Sequence, residues 1–361
     1  MKKSGLIAAI IAILFLFAGL TFSIPSFSSK EGVNCLGCHN GYPRLNNQGL
    51  EYLAGGYSFD SKQSDTAPGF RISGAVESWF VSKKEGRSTD FQLHKFELLS
   101  GGRLSKNAYY FAEAYFEERG GFHNLGDVFI TLTPTSSISA KAGQFQPDLI
   151  LTDSERLTTR RSMLYNTKVN GWRLRNRQRG VAITFNQDRF SLTGAVVNGN
   201  GNGVESDDES DNNDHKDMSL ALSTSATDHI TLGGYLYKGE IPGDDEISRY
   251  VFNYRQFLLD GRLELNGALG YGENSDPNGD GIDQKSLGYF VEGVYAVRQE
   301  FLVLARYDYF DPNSDIDNDH NWDIVPAILY YLGENIRISG EYVFFKENRN
   351  DEFRAVLSAV F

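Results

Sequence analysis

The chain has 361 residues and two cysteines, Cys35 and Cys38. They stand three positions apart and directly before His39, in "EGVNCLGCHNGYPRLNNQGLEYL". C-x-x-C-H is the attachment signature of a c-type haem. The two thiols would bond to the haem vinyl groups, and the imidazole would ligate the iron from the proximal side. A disulfide between Cys35 and Cys38 is the competing reading. A thioredoxin-like pair would need a βαβ setting, and the surrounding sequence offers none. One covalent haem c on Cys35, Cys38 and His39 is the reading the residues favour.

The segment carries no second iron ligand of its own. The next histidine is His94, and Met163 is the first methionine after the N-terminal apolar run. Met163 is the more reachable candidate for the distal ligand, with packing within the loop as its competing reading; His94, His123, another donor and a five-coordinate iron are left open. A basic cluster follows the same region: Arg156, Arg160, Arg161, Lys168, Arg173, Arg175, Arg177 and Arg179. It could hold haem propionates or admit anions, or counter acidic residues across a lumen. Arg173, Arg175, Arg177 and Arg179 alternate and are expected on one strand face.

Two acidic stretches raise a metal question. "DPNGDGID" sets Asp276, Asn278, Asp280 and Asp283 around Gly281, close to a Ca²⁺ loop but without its twelfth-position Glu or flanking helices. "ESDDESDNND" is a plain acidic run from Glu205 to Asp214. A solvated loop, Ca²⁺ binding and attraction of Fe²⁺ all fit these patterns. The net charge of -12 argues against nucleic acid as a partner.

The elements that must position these residues begin with an export signal. Lys2 and Lys3 precede an apolar run from Leu6 to Phe22, so residues 1–24 are read as a signal peptide. An uncleaved anchor is the alternative. Residues 25–66 form the monohaem segment, with one short helical stretch, "LNNQGLEYLAGG". Residues 67–361 alternate with period two. In "GFRISGAVESWFV", Phe70, Ile72, Val76 and Phe80 oppose Arg71, Ser73, Glu77 and Trp79. "NIRISGEYVFF" and "EFLVLARYDYF" repeat the pattern.

About sixteen such segments follow, starting near residues 69, 90, 107, 126, 137, 171, 189, 216, 229, 247, 261, 285, 300, 321, 335 and 351. Short turns alternate with long polar loops, and the chain ends "FRAVLSAVF" with an alternating apolar face. These features predict a mainly β fold: a transmembrane antiparallel β-barrel of about 16 strands in a bacterial outer membrane, preceded by a short α-helical haem segment. Charged inward faces suit a water-filled lumen. Both termini are expected on the short-turn, periplasmic side, in contact with outer-membrane lipid and lipopolysaccharide. Residues 145–171 form the longest gap between strands and are expected to fold into the lumen.

Residues Pro25, Phe27, Gly32, Cys35, Cys38, His39, Pro43, Leu45, Asn46, Gly49 and Tyr57 carry a resemblance. This segment resembles the cytochrome part of the fused outer-membrane monohaem cytochrome–porins of iron-oxidising bacteria. The stretches "GQFQPDLILT", "RRSMLYN" and "RQRGVAITF" resemble the phosphate-selective porin O/P family. The first resemblance implies one haem, in or at the barrel, passing electrons from extracellular Fe(II) to a periplasmic c-type cytochrome. The second implies an anion-selective diffusion porin with a haem plug or redox gate. Electron flow outward to an extracellular acceptor is a third expectation, and a homo-trimer follows from the habit of many porins.

Overall fold

The computed structural model describes residues 33, 35–39, 43–54, 72–118, 125–151, 155–169, 172–199, 215–241, 245–275, 282–333, 335–346 and 350–361. The expected signal peptide, the boundary near residue 66, His123, Asp276, Asn278, Asp280 and the acidic run at 205–214 lie outside them.

Period-two alternation becomes a closed barrel of sixteen antiparallel strands. In chain order they are β1 (Ile72–Lys83), β2 (Thr89–Ser105), β3 (Ala108–Glu118), β4 (Leu125–Leu132), β5 (Ile138–Phe145), β6 (Gln178–Gln187), β7 (Phe190–Val197) and β8 (Asp217–Thr227). The second half comprises β9 (Ile230–Ile241), β10 (Asp245–Leu258), β11 (Leu263–Asn274), β12 (Gln284–Arg298), β13 (Phe301–Asp311), β14 (Asn321–Leu332), β15 (Ile336–Phe345) and β16 (Glu352–Val360). Each strand pairs with its sequence neighbours, and β1 closes on β16 with Ala75 opposite Val360. Beyond that ladder Gly74 and Phe361 exchange backbone bonds of 2.6 and 2.8 Å. The C-terminal residue therefore completes the seam.

The outer surface is apolar at every second position. Phe91, Val181, Ile183, Phe252, Val291 and Ile328 are all more than half exposed, which on a closed sheet marks a lipid-facing wall. Tyr250 and Tyr271, and Tyr289 and Tyr309, pair their rings near the long-loop end of β10–β13, the position of an interfacial girdle. Among the described residues no helix is long and apolar enough to cross a membrane.

Short turns join β2–β3, β6–β7, β8–β9, β10–β11, β12–β13 and β14–β15 at the end where β1 begins and β16 finishes. The Gly333 turn uses φ +65°, a conformation open to glycine at no steric cost. The opposite end carries the longest connections, β5–β6, β7–β8, β11–β12 and β13–β14.

The β5–β6 connection folds inward as expected, and it goes deep. From Phe145 near the outer rim it descends to Leu157, which is fully buried against Val294, Leu302, Leu304 and Leu329 in the short-turn half. It then climbs through a single helical turn, α3 (Met163–Asn166). Leu164 of α3 presses onto the wall where Gly270 and Gly288 face each other. A Cβ on Gly270 would lie 2.4 Å from the Leu164 Cδ1, so only glycine leaves that socket open.

Two expectations need correction. The sixth strand starts at Gln178, not near Gly171, because residues 172–177 satisfy their backbone locally. Val169 and Trp172 bridge each other, and Asn176 N–H donates to the Arg173 carbonyl. Arg173, Arg175 and Arg177 therefore lie in the inward loop, and the expected four-arginine strand face does not form. The inward face is also less watery than its charges suggested: Arg255, Glu292, Asp308, Asp323 and Glu341 are at most 2% exposed and engaged in pairs.

Gly270→Ala should force α3 off the wall and cost about 1–3 kcal/mol, the usual range for overpacking. Gly194→Ala, where no atom lies within 4 Å of the added carbon, should be neutral. Urea unfolding of both variants in detergent micelles checks the contrast; equal midpoints would show that Leu164 yields without cost.

Candidate functional site

The haem-motif segment folds as two short helices around a reversal. α1 (Cys35–Cys38) places the two cysteines on one turn. His39 then bridges back to Leu45. Asn46 organises the turn: its backbone N–H donates to the Cys38 carbonyl at 2.9 Å, and its side-chain nitrogen donates to the Gly37 carbonyl at 3.0 Å. Its Oδ1 accepts from the Gly49 N–H at 2.9 Å, capping α2 (Asn47–Ala54). Gly49 is required here, since a Cβ would stand 2.1 Å from the Cys38 carbonyl oxygen.

The donor set fits a c-type haem. Cys38 is half-buried. The His39 Nδ1 lies 3.2 Å from the Pro43 carbonyl; as donor there, it leaves Nε2 as the nitrogen able to ligate iron. Burial pulls the His39 pKa down to about 4, against the raising effect of the Pro43 and Arg44 backbone. The ring is therefore neutral near pH 7, the form in which imidazole ligates metals.

This segment sits inside the barrel, and Arg44 shows it. The Arg44 side chain is completely buried. Its Nη1 meets Glu264 at 3.1 Å and its Nη2 meets Glu292 at 2.7 Å. Both carboxylates belong to inward positions, on β11 and β12. Its Nε donates to the Glu155 carbonyl of the inward loop at 2.9 Å. Burial alone would disfavour the guanidinium charge, but Glu264 and Glu292 raise its pKa above the ordinary arginine value. Around it, Arg255 of β10 donates to the Leu45 carbonyl at 2.6 Å and to Glu264 at 2.8 Å. The Leu45 N–H donates to Glu155 at 3.3 Å.

The network continues upward. Arg306 approaches Glu292 at 3.7 Å and pairs with Asp308 at 2.5 Å. Asp308 in turn accepts from the Met163 N–H at 3.1 Å. Arg160 of the loop pairs with Asp323 at 2.7 Å. The Thr159 N–H and hydroxyl donate to Glu341 at 2.9 and 2.7 Å. One chain of charges therefore joins segment, wall and loop.

The predicted site residues are distributed as follows. Cys35, Cys38 and His39 come together in the lumen-seated segment. Met163 is buried on α3 in the apolar cluster with Phe145, Leu151, Trp172 and Phe310. Its backbone contact on Asp308 lies one inward position above the Glu292 level of β12, since Phe290 faces Asp308 and Glu292 faces Arg306. His94 points inward from β2, 1% exposed, stacked on Trp79 with ring centroids 3.6 Å apart. Of the basic cluster, Arg177 pairs with Glu113 and Asp127 at 2.6 Å each, Arg175 donates to Asn166 and Arg179 to Gln144. Of the acidic loop positions, Asp283 is described and exposed. The sequence reading missed Arg44, Glu155, Arg255, Glu264 and Glu292. The available signal was a glutamate at an inward position of two adjacent strands and one arginine in an otherwise uncharged turn.

No family profile and no curated protein matches the chain in sequence. Solved structures do match its fold, and they are outer-membrane porins. The channel DcaP of Acinetobacter baumannii superposes with a TM-score of 0.64 at 11% identity, over 83% of this chain and 99% of its own. An anion-selective porin from Comamonas acidovorans gives 0.61 at 12% identity, over 82% and 100%. OmpT of Vibrio cholerae in its trimer form gives 0.59 at 9%, over 82% and 100%. The barrel is thus a porin-like outer-membrane barrel in fold, with the haem-motif segment seated in its lumen.

Glu341→Ala should release the inward loop, since Thr159 loses both of its bonds there. Single-channel recording should then show a larger and noisier conductance than the parent. An unchanged trace would mean that Arg160–Asp323 and the Leu157 cluster hold the loop without Glu341.

Proposed function

We propose that this chain is an outer-membrane monohaem cytochrome–porin. It carries electrons across the outer membrane from an extracellular donor, Fe(II), to a periplasmic c-type cytochrome. The observation that carries the reading is the C-x-x-C-H segment held within a porin-fold lumen by Arg44. A segment this short cannot enclose a haem by itself, and the inward faces of β10–β12 with the β5–β6 loop provide the missing walls. Bound haem c supplies a one-electron ferrous/ferric couple.

The chain's own residues divide the remaining work. Cys35 and Cys38 tether the group, and His39 presents Nε2 while Pro43 holds its Nδ1. Met163, on the loop that also supplies Glu155 to the segment, would be a candidate second donor to the iron, with packing in its apolar cluster as the competing role. The acidic outer loops, Asp276, Asn278, Asp280 and Asp283 among them, raise the local concentration of divalent cations, Fe²⁺ and Ca²⁺ alike, at the outer mouth. The aromatic girdle and apolar wall seat the barrel in lipid and lipopolysaccharide, and a homo-trimer follows the trimeric form of a fold relative.

A diffusion porin with a haem plug is the second reading, favoured by the porin fold and by the loop arginines. The pairing of Arg160, Arg177 and Arg306 with carboxylates weighs against it, because neutralised arginines do not select anions strongly. Outward electron flow uses the same residues, and the potential of the bound group decides the direction.

Full-length protein matured with a c-type haem machinery should show a two-thioether haemochrome spectrum. Cys38→Ala should move its α-band to longer wavelength. Anaerobic stopped-flow mixing with Fe(II) should then develop the reduced α-band. Haem that dithionite reduces and Fe(II) does not would overturn the Fe(II) assignment. A wide, anion-selective conductance in the haem-loaded protein would favour the second reading.

A further inference from the structure

We infer that Arg44 is a positioning residue through which the barrel wall sets the orientation of the His39 ring. The inference rests on the reading above, in which His39 ligates iron. The acceptor for the His39 Nδ1–H is the carbonyl of Pro43, the residue bonded to Arg44. The Arg44 backbone also contributes to the ring's surroundings. Whatever fixes residues 43–45 therefore fixes the second-layer partner of the ligand, and such partners orient a metal-bound imidazole and tune its basicity.

The clamp on those residues comes from the barrel. The guanidinium bridges Glu264 and Glu292, which sit on adjacent strands, and its Nε reaches Glu155 of the loop. Arg255 secures the Leu45 carbonyl from the neighbouring strand β10. Peptide 43–45 is thus held by three strands and the loop. Lysine could not replace this arginine, because the contact uses a planar fork with three separately directed nitrogens. An anchor that held only the segment would need no attachment beside Pro43; the position of Arg44 in the hairpin between His39 and Leu45 makes it both anchor and aligner.

The test uses full-length, haem-matured protein carrying Arg44→Lys, Glu264→Gln or the Glu264→Gln/Glu292→Gln pair. Arg189→Lys, in the exposed Arg189–Asp228 pair at a short turn, serves as control. Heat-modifiable gel mobility selects the folded barrels. Where Arg44→Lys does not fold, the shape-preserving Glu264→Gln variant carries the test.

The expected result is unchanged haem content, a shifted midpoint potential and an altered Soret and α-band spectrum in every clamp variant, with neither change in the control. Folded clamp variants with parental potential and spectrum would overturn the inference, even with haem bound. A parent chain that takes up no haem would instead sink the functional reading and the ligand role with it. Single-channel conductance of Arg44→Ala then decides the seating: an opened pore upholds the clamp, and parental conductance refutes it.

Discussion

Closure of the sheet is the constraint on which everything else in this molecule depends. Lipid offers no partner to a backbone N–H or C=O, so a membrane-crossing sheet must have no edge. Here β1 meets β16, and Gly74 and Phe361 complete the last backbone pairs. Once the sheet is closed, alternation sorts side chains without further instruction. Every apolar outward position meets lipid, and every inward position meets whatever fills the lumen. The interior of a sixteen-strand barrel is too wide for wall side chains alone to fill. In this chain two further pieces, the segment around Arg44 and the β5–β6 loop, occupy that space.

Filling a lumen with protein changes the physics of its charges. Inward glutamates and arginines that water would otherwise solvate become buried, and a buried charge must be paired or it destabilises by several kcal/mol. The pairings found here follow from that rule. Glu264 has Arg44 and Arg255, Glu292 has Arg44 and Arg306, and Asp308 has Arg306. None of these pairs need add net stability relative to an apolar filling. Their consequence is attachment: together they tie the segment to β10, β11 and β12 and the loop to β13.

The barrel was legible in the sequence because its signal is local. Period two and the turn residues placed fifteen of the sixteen strand starts within a few residues of those observed, and the haem signature is three residues, two cysteines and a histidine, at fixed spacing. The sixth strand failed because the alternation of Arg173, Arg175, Arg177 and Arg179 imitates a strand. What overrides it is non-local: Arg177 is drawn to Glu113 and Asp127, about fifty residues or more away. Arg44 was invisible for the same reason. Its partners lie 220 and 248 residues downstream, and no window along the chain brings them together. Met163 illustrates the opposite limit. Its place in the inward loop could be read from the sequence, but not its burial among Phe145, Trp172 and Phe310.

The arrangement also fixes the height at which the segment sits in the barrel. A strand such as β13, with eleven residues, runs roughly 37 Å at the rise of an antiparallel strand, or about 28 Å vertically at barrel tilt, close to the hydrocarbon thickness. Arg44 engages β11 at its second residue and β12 toward its short-turn end, so the segment occupies the periplasmic half of that height. That places it nearer the short-turn mouth than the mouth that carries the long loops. Toward the long-loop side lies the β5–β6 loop, fastened by Thr159 to Glu341, by Arg160 to Asp323 and by Leu164 in its glycine socket. The same loop reaches down to touch the segment, where Glu155 accepts from Arg44 and from the Leu45 N–H. Segment, loop and wall are thus joined through one set of side chains.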